Sequence, residues 1–161
     1  MQLEMKVKGL MVDPVTNMPI VILKDESENH VLPIWVGIFE ANAIALKVEA
    51  IDTPRPMTHD LLHSMVGAFG GRVDKIVVTD LRENTYFAII HMNVNGNEIT
   101  VDSRPSDALA LALRTEAPIF VEEAVLNQAR SVDNDRDLSN SERLRRWFES
   151  LDPDEFSKYE M

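Results

Sequence analysis

A chain of 161 residues that is 45% hydrophobic and 27% charged, with six Gly, eight Pro and no Cys, has the profile of one globular domain with at most a short appendage. The missing cysteines exclude disulfides and thiolate metal sites, and the longest near-apolar run, Val31–Phe39, is broken by Pro33 and Gly37, so neither a signal core nor a membrane span is expected. The net charge of −11 repels a polyanion at long range and disfavours a passive nucleic-acid clamp, although a carboxylate-held divalent cation can supply positive charge to an enzyme acting on phosphates.

Leu3–Val12 alternates as a strand, Asp13-Pro14 breaks it, and Met18–Lys24 is a second strand expected to lie beside the first. His30–Val36 is a short apolar strand ending at Gly37. Across Phe39–Ile51 the period changes, and Ala41, Ile44, Ala45 and Val48 fall at helical spacing. The prolines of Asp52–Pro56 end that helix. Thr58 is the expected N-cap of the next, which runs through Phe69 with Leu61, Leu62, Met65, Val66 and Phe69 on one side and Gly70-Gly71 as its stop.

Val73–Leu81, Thr85–Val94 and Glu98–Val101 form an expected antiparallel meander, with Asn95-Gly96 as a strong hairpin signal. Arg104-Pro105 opens a helix over Ser106–Thr115. Its Ala108–Leu113 run is apolar all round, which predicts burial in the middle of the domain. A short strand at Pro118–Val121 and a short helix at Glu122–Ala129 follow. Ser131–Asn140 has no periodicity and is expected to be a linker. Ser141–Leu151 is expected to form a terminal helix docking through Leu144, Trp147, Phe148 and Leu151.

Two helix starts echo one another. Arg55-Pro56 precedes Thr58, Asp60 and Leu61, and Arg104-Pro105 precedes Ser106, Asp107, Ala108 and Leu109. Capping accounts for the Pro, hydroxyl and carboxylate. It does not account for the arginines, which either pair with local acids such as Asp52 or Asp102 or bind an anion beside the free N–H groups of the helix start. His59, next to Asp60 at such a start, is a candidate general acid or base. His63 stands four residues on, at the spacing of a two-histidine metal site, but the glutamate of zinc proteases is absent. Glu40, Asp60, Asp102 and Asp107 all fall at element boundaries. They are candidate ligands for Mg²⁺ or Mn²⁺, with helix capping or plain surface exposure as the alternative account.

Taken together, Leu32-Pro33-Ile34-Trp35-Val36-Gly37, Glu40-Ala41 with Ala43-Ile44-Ala45, Arg55-Pro56 with Thr58-His59-Asp60-Leu61-Leu62, Asp102–Ala108 with Ala110-Leu111-Ala112, and Pro118–Val121 with Val125-Leu126 resemble the bifunctional nuclease domain family over about residues 1–130. The resemblance implies degradation of RNA and DNA. Motif positions matched are Glu40, Arg55, His59, Asp60, Asp102, Arg104, Ser106, Asp107 and Arg114, and His63 is not among them.

The expectation is therefore an α+β domain over residues 1–130, with an antiparallel or mixed sheet and a buried Ala/Leu-rich helix, followed by a linker and docking helix over 131–161. Its expected function is that of a metal-assisted phosphodiesterase acting on RNA and DNA with little sequence preference. His59, Asp60, Asp107 and Arg104 would be catalytic. Arg55, Arg104, Ser106 and Arg114 would bind phosphate, and Glu40, Asp60, Asp102 and Asp107 would hold Mg²⁺ or Mn²⁺. Nucleic acid would be a substrate rather than a tight partner, with no membrane association, a cytoplasmic location and a homodimer as default assembly. The rival is a non-enzymatic module that binds a small anion or nucleotide, or serves as an oligomeric scaffold, supported by the net charge and by the lack of an aromatic stacking row.

Overall fold

The computed structural model describes residues 1–27 and 29–135. Strands β1 (Gln2–Val12) and β2 (Pro19–Asp25) form an antiparallel hairpin, and β3 (Val31–Trp35) adds antiparallel to β2. Strands β4 (Gly71–Arg82), β5 (Thr85–Val94) and β6 (Asn97–Ser103) are the expected meander. At its second turn Asn95 and Gly96 have φ of 52° and 86°, the left-handed pair whose twist matches the flanking strands. Glu83 and Asn84 make the first turn in the same way, at 49° and 61°.

The two three-stranded units meet through β7 (Ile119–Glu122), which lies antiparallel to β1 and parallel to β4. The result is one seven-stranded mixed sheet in the order β3-β2-β1-β7-β4-β5-β6. With the four helices of the described residues it is the α+β fold expected.

The helices are α1 (Ile38–Val48), α2 (Thr58–Ala68), α3 (Pro105–Thr115) and α4 (Glu123–Asp135). As its composition predicts, α3 is buried nearly all round: Ala108, Leu109 and Ala110 are fully enclosed. It packs on α1, α2, β4 and β5. The core beneath it draws Val21 and Leu23 from β2, Ile44 from α1, Ile76 and Val78 from β4 and Val121 from β7. No described helix is long and apolar enough to cross a membrane.

Three expectations are corrected. Thr58 is the first residue of α2 rather than its cap. Met57 takes that place, with its N–H bonded to the Asp60 carboxylate at 2.9 Å. Of the apolar stripe of α2 only Val66 packs against the core: Leu61, Leu62, Met65 and Phe69 are exposed, and the buried side chain of that helix is His59. Helical spacing groups residues on one face but does not supply a surface to cover them. Finally, Ser131–Asp135 is not a linker but continues α4. The terminal helix expected over Ser141–Leu151 lies outside the described residues.

Candidate functional site

The site is built where α2 starts over the side of α3. Consecutive residues of α2 reach two ends of the same neighbour: His59 bonds Asp107 in the first turn of α3, and Asp60 bonds Arg114 in its last. Those partners are seven positions apart, about 10 Å of helix at 1.5 Å per residue, so α2 is lashed to α3 by two polar links with buried hydrocarbon between them.

The first link is a chain of four side chains. Asp107 Oδ1 lies 2.9 Å from His59 Nε2, and Asp107 Oδ2 accepts from Arg104 Nε at 2.9 Å. The Arg104 guanidinium also donates to Glu40 Oε1 at 2.8 Å. His59 is 7% exposed, whereas the Arg104 side chain is 65% exposed, so the chain runs from the interior to the surface. No buried side-chain nitrogen or oxygen among the described residues lacks a partner. His59 Nδ1 bonds no described residue, and it therefore meets solvent while Nε2 is held.

Burial pushes the Asp107 carboxyl up, but the hydrogen bond to His59 and the Arg104 guanidinium outweigh it and hold the group below the ordinary carboxylate range. The carboxylates Asp107 and Glu40 in turn raise Arg104.

In the second link Arg114 Nε donates to Asp60 Oδ1 at 2.6 Å, and a terminal nitrogen of the same guanidinium donates to the Ala110 carbonyl at 2.9 Å. The Arg114 side chain is 2% exposed. Asp60 is held below the ordinary range chiefly by the Met57 N–H, with burial opposing and Arg114 assisting.

These depressed carboxylates make stability sensitive to acid. A group whose folded pKa lies below its unfolded value of about 4 stabilises the fold fully above that value and loses its contribution as pH falls through the folded one. We expect the urea midpoint to hold between pH 7 and 5 and to fall steeply below about pH 4. Asp107→Asn should lower the midpoint at pH 6 and flatten its acid dependence. An unchanged acid limb in that variant would show that the pairing carries no such linkage.

The structure divides the expected site residues. Glu40, His59, Arg104 and Asp107 form one hydrogen-bonded chain, and Asp60 and Arg114 form a separate pair. Ser106 is buried in the first turn of α3. Asp102 is exposed on β6 opposite Ile89 and bonds none of these side chains. Arg104 does pair locally, though with Asp107 three residues on rather than with Asp102, and Arg55 does not pair with Asp52. Arg104 takes Glu40, 64 residues away, as well as Asp107, and Arg55 bonds no side chain among the described residues.

The echo between the two helix starts is therefore not structural. Pro105 is the first residue of α3 and Arg104 its cap, whereas Arg55-Pro56 lies outside α2 altogether.

The four expected Mg²⁺ or Mn²⁺ ligands do not converge. Among the described residues no three His, Asp or Glu side chains form a metal-sized group. Glu40, Asp60 and Asp107 each already face a guanidinium. A donor set occupied by arginine does not fit a divalent cation as folded. His59 spends Nε2 on Asp107, and His63 lies on the wall of a cleft that His59 does not line.

That cleft was not legible in the sequence. It has a volume of about 290 Å³ and lies between the end of α1, the 51–56 segment and the start of α2, with Lys47, Arg55, His63, Ser64 and Arg114 among its walls. Its one sequence signal is Lys47 in the last turn of α1, eight residues before Arg55.

The hydrogen bonds linking His59, Asp107, Arg104 and Glu40 join the starts of three helices, α1, α2 and α3. The chain belongs to the bifunctional nuclease domain family, whose model matches residues 21–134. It is 36% identical over 162 residues to an uncharacterised protein of Mycobacterium tuberculosis, covering 95% of this chain and 97% of that one. It is similar at lower identity to plant proteins: 27% over 112 residues to Bifunctional nuclease 1 of Oryza sativa subsp. japonica and 29% over 107 residues to Bifunctional nuclease 1 of Arabidopsis thaliana. Those matches take in 68% and 64% of this chain but only 34% and 33% of the plant proteins.

Proposed function

We propose that the protein is a nuclease hydrolysing phosphodiester bonds of RNA and DNA, with its reacting centre at His59, Asp107 and Arg104. The observation that carries this reading is the polarity of the buried His59 ring: one nitrogen is fixed by the half-buried Asp107 carboxylate and the other meets solvent. That arrangement fixes the tautomer and orients the base, as a carboxylate partner does for a catalytic histidine. With Asp107 accepting from Nε2–H, Nδ1 takes a proton from the attacking water. Oxygen bonds to phosphorus, and the departing oxygen leaves with a proton from solvent or from the same imidazole.

Arg104 spends Nε on Asp107 and one terminal nitrogen on Glu40. Its other terminal nitrogen is left to meet the charge that grows on the phosphoryl oxygens. Asp60 belongs to the lash between α2 and α3 and acts by positioning His59. Family membership and the names of the plant relatives support the substrate class.

The test is cleavage of labelled single-stranded RNA and DNA by purified protein in Mg²⁺, in Mn²⁺ and in chelator, beside an identically purified His59→Ala, Asp107→Ala double variant. The variant exposes any contaminating nuclease. Cleavage present in the native protein and lost in the variant supports the reading, and the chelator arm decides the expected metal dependence. Equal cleavage in both preparations, or none in either, sinks it in favour of the anion-binding rival.

A further inference from the structure

We propose that the cleft formed by the end of α1, the 51–56 segment and the start of α2 is a second, separate binding site, and that it takes a phosphate monoester. It does not use the His59 ring or Arg104, and its existence does not depend on the nuclease reading.

The argument rests on what lines it. In a chain with a net charge of −11, Lys47, Arg55 and Arg114 converge on one cleft. Neither Lys47 nor Arg55 forms a salt bridge among the described residues, although the Lys47 charge acts through space on Asp60. Arg114 is the anchor. Its side chain is 2% exposed, with Nε on Asp60 and one terminal nitrogen on the Ala110 carbonyl. No buried side-chain nitrogen in the described residues lacks a partner, so the remaining terminal nitrogen, which bonds nothing, reaches the open space of the cleft.

A fixed guanidinium edge held from behind by a carboxylate and a carbonyl is a pre-organised donor for a tetrahedral oxyanion. Arg55 and Lys47 add mobile charge, and Ser64 adds a hydroxyl. Two acids also line the wall. Asp60 is paired with Arg114, which leaves Lys47 and Arg55 against Asp52, one net positive charge on the wall of a chain that is otherwise strongly acidic. Phosphorylated and unphosphorylated strands distinguish a bound monoester from an internal diester.

Size favours the monoester. At about 290 Å³ the cleft lies at the small end of ligand sites, roughly 300–1,000 Å³, with room for one phosphate and part of a sugar. Such a group comes from a free mononucleotide or from the phosphorylated end of a strand.

Inorganic phosphate and adenosine monophosphate are the first probes, with binding read by calorimetry and by the rise in Tm that a native-state ligand produces. Both should bind the native protein. The double variant Lys47→Ala, Arg55→Ala, which removes exposed or half-buried side chains and leaves the Arg114 anchor in place, should weaken both by roughly tenfold or more, and Arg55→Lys should retain part of the affinity. Fluorescence anisotropy with a short oligonucleotide, with and without a 5′-phosphate, separates the sources. A preference for the phosphorylated strand that the double variant loses assigns the site to strand ends, and binding of the mononucleotide alone assigns it to free nucleotide. No binding of phosphate at about 10 mM, or binding by the folded double variant equal to that of the native protein, overturns the proposal. None of these readouts requires cleavage, so failure of the nuclease assay would leave them intact.

Discussion

Changing His59 to alanine is expected to lower phosphodiester cleavage by roughly 10²- to 10⁴-fold, the range carried by a positioned general acid or base. The substitution removes the one ring whose Nε2 is held by Asp107 and whose Nδ1 meets solvent. It also strips Asp107 of a partner, so stability must be measured beside activity. His59→Gln places an amide donor near the position of Nε2, within reach of Asp107, and cannot carry a proton in turnover. A folded His59→Gln protein that cleaves at the native rate would remove His59 from the reaction. Arg104→Ala should lower cleavage by roughly 10²- to 10³-fold, the cost of losing one donor to the developing charge, with little loss of stability because the Arg104 side chain is 65% exposed.

Changing Leu109 to alanine is expected to destabilise the protein by about 3–4 kcal/mol, with a drop in Tm of roughly 10 °C. Leu109 is fully buried in a helix that packs on two strands and two helices, and rigid surroundings on every side leave the cavity little way to collapse. Leu61→Ala on α2 is the matched control. That side chain is 53% exposed, and its loss should stay within about 0.5 kcal/mol. Urea melts of the two variants decide whether α3 carries the core and α2 rides on it. Near-equal costs would show that the α2 face is covered in solution.

The contrast between these leucines also marks where sequence ends as a guide. Ala108–Leu113 reads as buried because no polar face is left to turn outward, and the structure agrees. Leu61, Leu62, Met65 and Phe69 read equally well as a core stripe. Yet periodicity fixes only which side chains share a face, and whether a neighbour covers that face depends on how the whole chain is threaded. The Asn-Gly turn was legible because its backbone requirement is local.

At the site, sequence order brought out the residue types and failed on their pairing. His59 and Asp107 are 48 positions apart, Arg104 and Glu40 64, and Asp60 and Arg114 54. Acids placed at element ends look equally suited to a metal or to arginine until the guanidinium is located. The cleft escaped notice for the same reason, since Lys47, Arg55 and Arg114 come from a helix end, a loop and a buried helix.

The position of β7 has a consequence for the order in which the chain can fold. Every other strand finds a sequence neighbour across a short turn or loop, so β1–β3 and β4–β6 can each assemble as soon as they are made. The seam between them is the four-residue strand Ile119–Glu122, which comes after both. Until it emerges, β1 and β4 present unpaired edges, the kind of surface that recruits foreign strands. A ribosome that stalled shortly before Ile119 would thus hold two half-sheets without their common strand, and closure of the sheet is timed by the latest of the described strands rather than by the first.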